Sequence, residues 1–197
     1  MFTLVDAASI YVDGPKKVIE LKGQKNRSPW IDSANKYVGI PLASPYCIAS
    51  LLKVQSEAFQ KTYPKLADPE KELRKLIKEG RALPITGGSQ YLKSWAQQHK
   101  RLTTDPQKLL SFTGAIGGWT NPGGKSGHGF LVTERLTDNG KVTAVRTIEF
   151  NTSPSTGDRD GEGCFSLRRS VPKDRGHDLW WIDLTGLFGG DWWKVKG

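Results

Sequence analysis

Cys47 is the residue of this sequence best suited to act as a nucleophile. Ser44 and Pro45 precede it, and a serine followed by a proline is typical of the N-cap and first residue of a helix. The pattern predicts a helix over residues 45–61 in which Cys47 is the third residue, near the positive end of the helix dipole. That position favours the thiolate, although most buried cysteines in proteins act only as small apolar side chains.

His128, which lies between two glycines, is the candidate base for this thiol. Downstream, Asn139-Gly140 separates two β-rich runs and predicts a two-residue hairpin turn. In an unbulged hairpin with this turn, His128 pairs with Asn151, and Glu149 projects from the same face. A partner on one ring nitrogen would fix the tautomer and leave the other nitrogen for the thiol. We therefore expect Cys47, His128, Glu149 and Asn151 to form a thiol-hydrolase site, with either Glu149 or Asn151 as its third member.

The rest of the chain must position these residues, and its pattern predicts helices followed by strands. Residues 1–23 are predicted to form an N-terminal arm, extended or in a hairpin around residues 9–21. Caps and apolar spacing predict helices over residues 29–38, 45–61, 69–79 and 89–100. Short β-rich runs predict strands over residues 110–116, 129–136, 142–150 and 163–171. This order indicates the α+β class, with N-terminal helices packed on an antiparallel sheet.

Length, composition and charge limit the kinds of protein this can be. A chain of 197 residues that is 37% hydrophobic suits one domain over residues 1–197, with a Trp-rich C-terminal segment at 172–197. The net charge of +9 favours an anionic partner such as a cell-envelope polymer. Specific nucleic-acid binding is not expected, because the basic residues are dispersed and no nucleic-acid-binding motif accompanies them.

The sequence predicts neither a membrane span nor a signal peptide, and neither a metal site nor a cofactor. It has no long apolar run, and its first residues lack the pattern of a secretory signal, so we expect synthesis in the cytoplasm. Two cysteines and three histidines, none at metal-site spacing, do not predict a disulfide framework or a zinc site. Cys164 is expected in the core. Residues 158–162 show only the start of a calcium-loop rhythm and are interpreted as a solvated turn.

Several segments occur in an order that a known family shares. Two of them contain candidate site residues, Gly127-His128-Gly129-Phe130 and Thr147-Ile148-Glu149-Phe150-Asn151-Thr152-Ser153. The others are residues 24–29, 38–41, 44–49, 160–163 and 168–169. Together they resemble the motifs of CHAP domains, the cysteine, histidine-dependent amidohydrolases and peptidases, especially those of phage and bacterial peptidoglycan hydrolases. Phe150 and Ser28 stand where the family motifs have glycine.

The resemblance implies a papain-like α+β fold with the nucleophile at a helix N-terminus. It also implies that Cys47 is the nucleophile and His128 the base, with Glu149 and Asn151 in the third and supporting roles. The implied activity is cleavage of an amide bond in peptidoglycan, as an N-acetylmuramoyl-L-alanine amidase or a peptide endopeptidase. The implied partners are peptidoglycan and its stem peptides, reached after release or delivery to the cell wall, and we expect a monomer.

Two other functions are compatible with the same residues. One is a non-catalytic module on the same scaffold that binds cell wall or nucleic acid through its basic surface and the Trp pairs at 180–181 and 192–193. Such Trp pairs are more often core or lid packing than binding platforms. The other is a papain-like protease acting on proteins. The sequence does not distinguish among the amide bonds of peptidoglycan.

Overall fold

Five helices occupy the first half of the chain in the computed structural model, which describes residues 3–121, 123, 126–153, 155 and 159–187. Within that part they are α1 (Leu4–Ser9), α2 (Pro29–Val38), α3 (Cys47–Thr62), α4 (Pro69–Lys78) and α5 (Ser89–Gln98). Ser28 and Asp68 cap α2 and α4 as expected, since their side chains accept hydrogen bonds from Ile31 N and Lys71 N. The four predicted helices are therefore confirmed, with small differences at their ends.

The start of α3 differs from the prediction. The helix begins at Cys47 rather than Pro45, and Tyr46 occupies the cap position without a side-chain hydrogen bond. Ser44 instead belongs to a turn in which its N–H bonds Pro41 O at 3.3 Å and its carbonyl accepts from Asn35 Nδ2 at 3.2 Å. Because that turn holds the backbone of Ser44, Ser44 does not cap α3. Cys47 is the first residue of the helix and not the third.

The N-terminal arm also differs. Thr3 and Asp6 form a capping box that begins α1, a short helix that the sequence analysis did not predict. Residues 9–21, all of them described, contain turns and a contact of Val18 N with Tyr11 O at 2.9 Å, and Ile19 makes a single bridge to Gly163. The segment therefore packs across the edge of the sheet and does not form a hairpin of its own.

Six strands in the described part of the chain form one antiparallel sheet in the order β1-β8-β2-β3-β4-β5. A separate small hairpin pairs β6 with β7. The strands are β1 (Leu102–Thr103), β2 (Ala115–Thr120), β3 (Gly127–Asp138), β4 (Lys141–Thr152), β5 (Arg159–Ser170), β6 (Lys173–Asp174), β7 (His177–Asp178) and β8 (Trp180–Asp183). The α+β class is thus confirmed. The strand predicted over residues 110–116 begins later, because Pro106–Ser111 forms a 3₁₀ helix capped by Asp105.

The β3–β4 hairpin has the predicted turn but not the predicted regularity. Asp138 pairs with Lys141, and the register then shifts once near the turn and again between Val132 and Glu134. The second shift restores the original register, so that Val132 pairs with Thr147 and Leu131 with Ile148. Two irregularities that cancel therefore leave Leu131 and Ile148 in the register of an unbulged hairpin. The pairing of β3 with β4 ends at these residues, so the expected pairing of His128 with Asn151 is not formed.

Apolar side chains cover both faces of the sheet. Toward the helices, Leu51 and Leu52 of α3 belong to the same buried cluster as Leu131 and Ile148. The opposite face holds Trp119, Phe130, Val132 and Trp181. Trp180, Trp181 and Cys164 are core residues as predicted, at 2%, 0% and 0% exposure. The second Trp pair, at 192–193, lies outside the described residues. No helix among the described residues is long and apolar enough to cross a membrane.

Candidate active site

Cys47 lines a surface cleft of about 310 Å³. Its side chain is only 5% exposed, and the residue is not disulfide-bonded. The cleft is formed by the turn before α3, the segment around Gly87 and Gly88 before α5, and the start of β3. A thiol at this point is shielded from most of the solvent but can be reached by a substrate in the cleft.

The glycines on both sides of His128 let these elements approach one another. A Cβ on Gly129 would lie 2.4 Å from Ile48 Cδ1 in the first turn of α3. A Cβ on Gly127 would lie 2.3 Å from Trp119 O and 2.6 Å from Ser89 Oγ. A larger residue at Gly129 would push α3 away from β3, and one at Gly127 would clash with β2 and the start of α5. The two glycines therefore let α3 and α5 pack close to the part of β3 that carries His128.

His128 is completely buried and bonded to Glu149. The distance from His128 Nε2 to Glu149 Oε2 is 2.9 Å. Since Val132 pairs with Thr147, the side chains of His128 and Glu149 fall on the same face of the sheet. The Cys47 thiol interacts with the same ring. Because Glu149 occupies Nε2, Nδ1 is the ring nitrogen left to interact with the thiol.

The surroundings of His128 favour its protonated form. Burial lowers the pKa of the ring, but hydrogen bonds and negative charge from Cys47 and Glu149 outweigh it and raise the pKa to about 9, above the ordinary 6.5. An imidazolium beside the thiol stabilises the thiolate, which is the nucleophilic form of cysteine.

Glu149 remains ionised although it is fully buried. Burial raises its pKa, yet hydrogen bonds and positive charge from Arg169 and His128 lower it to about 2. Arg169 donates to both carboxylate oxygens, at 2.8 and 2.6 Å, and Thr147 Oγ1 donates to Oε1 at 2.5 Å. With His128, these groups saturate the carboxylate and fix its orientation toward the ring.

Asn151 lies two residues beyond Glu149, at a distortion of β4. Its backbone has a φ of +59°, in the left-handed region, and the pairing with β5 shifts between Phe150 and Thr152. The residue is fully buried, and its backbone interacts with the Tyr46 phenol, whose pKa is raised mainly by burial. The sequence left Glu149 and Asn151 open as the partner of the base, and the structure assigns the hydrogen bond of His128 to Glu149.

Arg169 is the site residue that the sequence analysis missed. It was noted only as part of the Arg168-Arg169 pair, and a charged pair on a strand is usually solvent-exposed. In the structure, β4 pairs with β5 so that Val145 lies opposite Arg169, and Arg169 therefore falls on the same face of the sheet as Glu149. Recognising it required the β4–β5 register, which no turn signal in the sequence specifies.

The cleft wall is uncharged over the described residues that line it. Neutral side chains and glycine backbone form it, among them Ile40, Thr86, Gln90 and the exposed Tyr91. Gly87 and Gly88, noted in the sequence as flexible-loop or turn glycines, do line the cleft. A Cβ on Gly87 would lie 2.5 Å from Ile40 Cγ2, so the two walls are in close contact there.

Metal binding and similarity to known proteins add nothing to the assignment of this site. Among the described residues, no group of three or more His, Cys, Asp or Glu side chains is placed to hold a metal ion. The interpretation of residues 158–162 as a solvated turn is wrong for 159–162, because their backbone belongs to β5, while residue 158 lies outside the described residues. No protein-family model matches the chain, and searches of curated proteins and of solved structures find no match.

Proposed function

We propose that this protein is a cysteine amidohydrolase or peptidase of the CHAP type that cleaves an amide bond in peptidoglycan. The catalytic part is supported by the interaction of Cys47 with a buried imidazole whose Nε2 lies 2.9 Å from a buried, ionised Glu149. A papain-like relationship is supported by the nucleophile at the first residue of α3, ahead of an antiparallel sheet that supplies the base. The peptidoglycan part rests on the motif resemblance and on the charge of +9.

The geometry supports a two-step acyl transfer. The Cys47 thiolate attacks the substrate carbonyl carbon, and backbone N–H groups at the start of α3 bind the oxyanion, since no side chain caps that helix. His128 gives its proton to the leaving amine as the C–N bond breaks, which leaves a thioester on Cys47. His128 then removes a proton from water, and the water oxygen attacks the thioester carbon. The C–S bond breaks, which releases the carboxylic acid and restores the Cys47 thiolate beside the His128 imidazolium.

Digestion of purified sacculi tests the substrate. Untreated protein is expected to release new amino termini, and mass spectrometry of the products distinguishes an endopeptidase, which leaves peptide termini, from an amidase, which leaves lactyl groups on the glycan. Protein alkylated with iodoacetamide is the matched control and is expected to release nothing above background. Equal release by both samples would contradict the proposal, and hydrolysis of a protein substrate with no release from sacculi would indicate the protease alternative.

The reactivity of Cys47 distinguishes an enzyme from a binding module on the same scaffold. Because Cys47 and Glu149 raise the pKa of His128 to about 9, the imidazolium that stabilises the Cys47 thiolate is expected to be lost only as the pH rises through about 9. Iodoacetamide should therefore modify Cys47 at pH 6 to 7 roughly 10-fold or more faster than an ordinary thiol, whose pKa lies near 8.5. The rate is measured by mass spectrometry of the modified peptide.

Cys164 provides an internal control for this measurement. It is fully buried, and burial raises the pKa of its thiol well above the usual value, so it should stay unmodified in the folded protein. If Cys47 proves as unreactive as Cys164 at neutral pH, the binding-module function would be favoured.

A further inference from the structure

Arg169 is a fully buried arginine between the candidate active site and the β6–β7 hairpin. We propose that Arg169, held in turn by Asp174, is a positioning residue that keeps Glu149 ionised and oriented as the acceptor for His128. The inference rests on the proposed thiol chemistry, because it assigns Arg169 a role in that reaction. Arg169 reaches Cys47 only through Glu149 and His128 and is not assigned contact with substrate.

The contact with Glu149 is bidentate. Arg169 Nε lies 2.8 Å from Oε1, and Arg169 Nη2 lies 2.6 Å from Oε2, the same oxygen that bonds His128. Two parallel hydrogen bonds from a planar guanidinium fix both the position and the plane of a carboxylate. The orientation of the His128 ring therefore depends on the orientation that Arg169 imposes on Glu149.

The other end of the guanidinium is anchored as firmly. Arg169 Nη1 donates to Asp174 Oδ2 at 2.8 Å, and Asp174 Oδ1 accepts from Ser170 N at 3.0 Å. The guanidinium carbon also lies 4.9 Å from the centre of the Trp119 ring, a cation–π contact. Trp119 lies between His128 and His177, with ring centroids 4.7 and 4.9 Å apart. The hairpin that carries Asp174 and His177 thus supports His128 both through Arg169 and through Trp119.

This arrangement has a consequence for the protonation of the site. The titratable or charged groups around Glu149 are His128 on β3, Arg169 and Cys164 on β5, Asp174 on β6 and, beyond His128, Cys47 on α3. Of these groups, His128 and Arg169 carry the positive charge that lowers the pKa of Glu149, and Thr147 adds an uncharged hydrogen bond. Without Arg169, burial dominates, the pKa of Glu149 rises, and a protonated Glu149 no longer supports the His128 imidazolium.

The test is the pH dependence of the site in Arg169→Gln, with Arg168→Gln as the matched control. Arg168 is the exposed neighbour on the same strand, so its loss changes the net charge equally without touching Glu149. The measurements are the NMR titration of the His128 ring and the rate of Cys47 alkylation from pH 5 to 10. In Arg169→Gln we expect the pKa of His128 to be about 1 to 2 units lower. The pH at which the rate of Cys47 alkylation rises should be higher by a similar amount. Arg168→Gln should match the unmodified protein.

Two further variants test the proposal if Arg169→Gln does not fold. Asp174→Asn removes the anchor of Arg169 but keeps its charge, and should move both profiles in the same direction by a smaller amount. Asp178→Asn is its control on the same hairpin, because Asp178 is 80% exposed and pairs only with the surface residue Lys173 among the described ion pairs. Profiles of Arg169→Gln, or of Asp174→Asn in its place, that superimpose on those of the unmodified protein would overturn the proposal.

The two readouts separate this inference from the proposed function. If Cys47 of the unmodified protein is not alkylated faster than an ordinary thiol, the proposed function fails. The NMR titration of His128 still reports in that case whether Arg169 controls the ring through Glu149.

Discussion

Replacing Cys47 by alanine is expected to abolish hydrolysis of sacculi while leaving the protein folded. In the proposed mechanism the sulfur is the attacking atom, and without it no thioester can form, so turnover should fall by roughly 10⁴-fold or more. The substitution removes one atom at the edge of the cleft, where Cys47 is 5% exposed, so the loss of packing is small. Release of soluble fragments gives the rate, and circular dichroism with a thermal melt reports the fold.

Cys164→Ala is the matched control for this variant. Cys164 is 0% exposed and lies on β5 opposite Phe150, so its loss should lower the free energy of unfolding by about 1 kcal/mol through a small cavity. Activity should be retained at temperatures below the melting transition. A Cys47→Ala protein that hydrolyses sacculi at the rate of the unmodified protein would refute the assignment of the nucleophile.

Replacing His128 by alanine is expected to have the second largest effect. In the proposed mechanism His128 interacts with the thiol and transfers the protons in both steps, and loss of a general acid–base group typically costs about 10²- to 10⁴-fold in rate. Glu149 keeps its two bonds to Arg169 in this variant, so it is not left as an isolated buried charge. The variant should also lose the accelerated alkylation of Cys47 at pH 6 to 7.

His99→Ala is the control for the histidine. His99 is exposed and stacks on Trp95 with a centroid distance of 4.7 Å, on α5 and its C-terminal cap rather than beside the thiol. Its loss should leave both turnover and alkylation within about twofold of the unmodified protein, as is usual for exposed residues away from a site. The opposite ranking of the two variants would mean that the wrong histidine has been assigned as the base.

The predictions that came from local signals were the most accurate ones. Ser28 and Asp68 cap their helices because a cap depends on atoms within three residues, and Asn139-Gly140 forms its turn for the same reason. A hairpin with this turn and no bulge pairs Val132 with Thr147, which is the pair that the structure shows. The sequence did not indicate the two register shifts between that pair and the turn, which cancel each other. Cys47, His128 and Glu149 could therefore be selected from residue types and spacing.

The start of α3 shows where local signals were not sufficient. Ser44-Pro45 is a good cap by itself, but a side chain nine residues earlier, Asn35, bonds the carbonyl of Ser44 and stabilises a different turn. The helix consequently begins two residues later, and Cys47 moves from its third position to its first. Competition between a local cap and a tertiary hydrogen bond is decided by the packing of α2 against α3, which the sequence pattern does not report.

By itself, the sequence determined the α+β order of elements, a candidate nucleophile, a candidate base and a short choice of partners for that base, since each depends on spacing along the chain. Only the tertiary structure decided that Glu149 rather than Asn151 bonds His128, and that Arg169 and Asp174 complete a buried chain of charges behind it. The physical reason is that burial sets the free-energy cost of ionising a side chain, and pairing across strands sets which charged side chains lie next to it. Those quantities exist only once β3, β4 and β5 lie side by side.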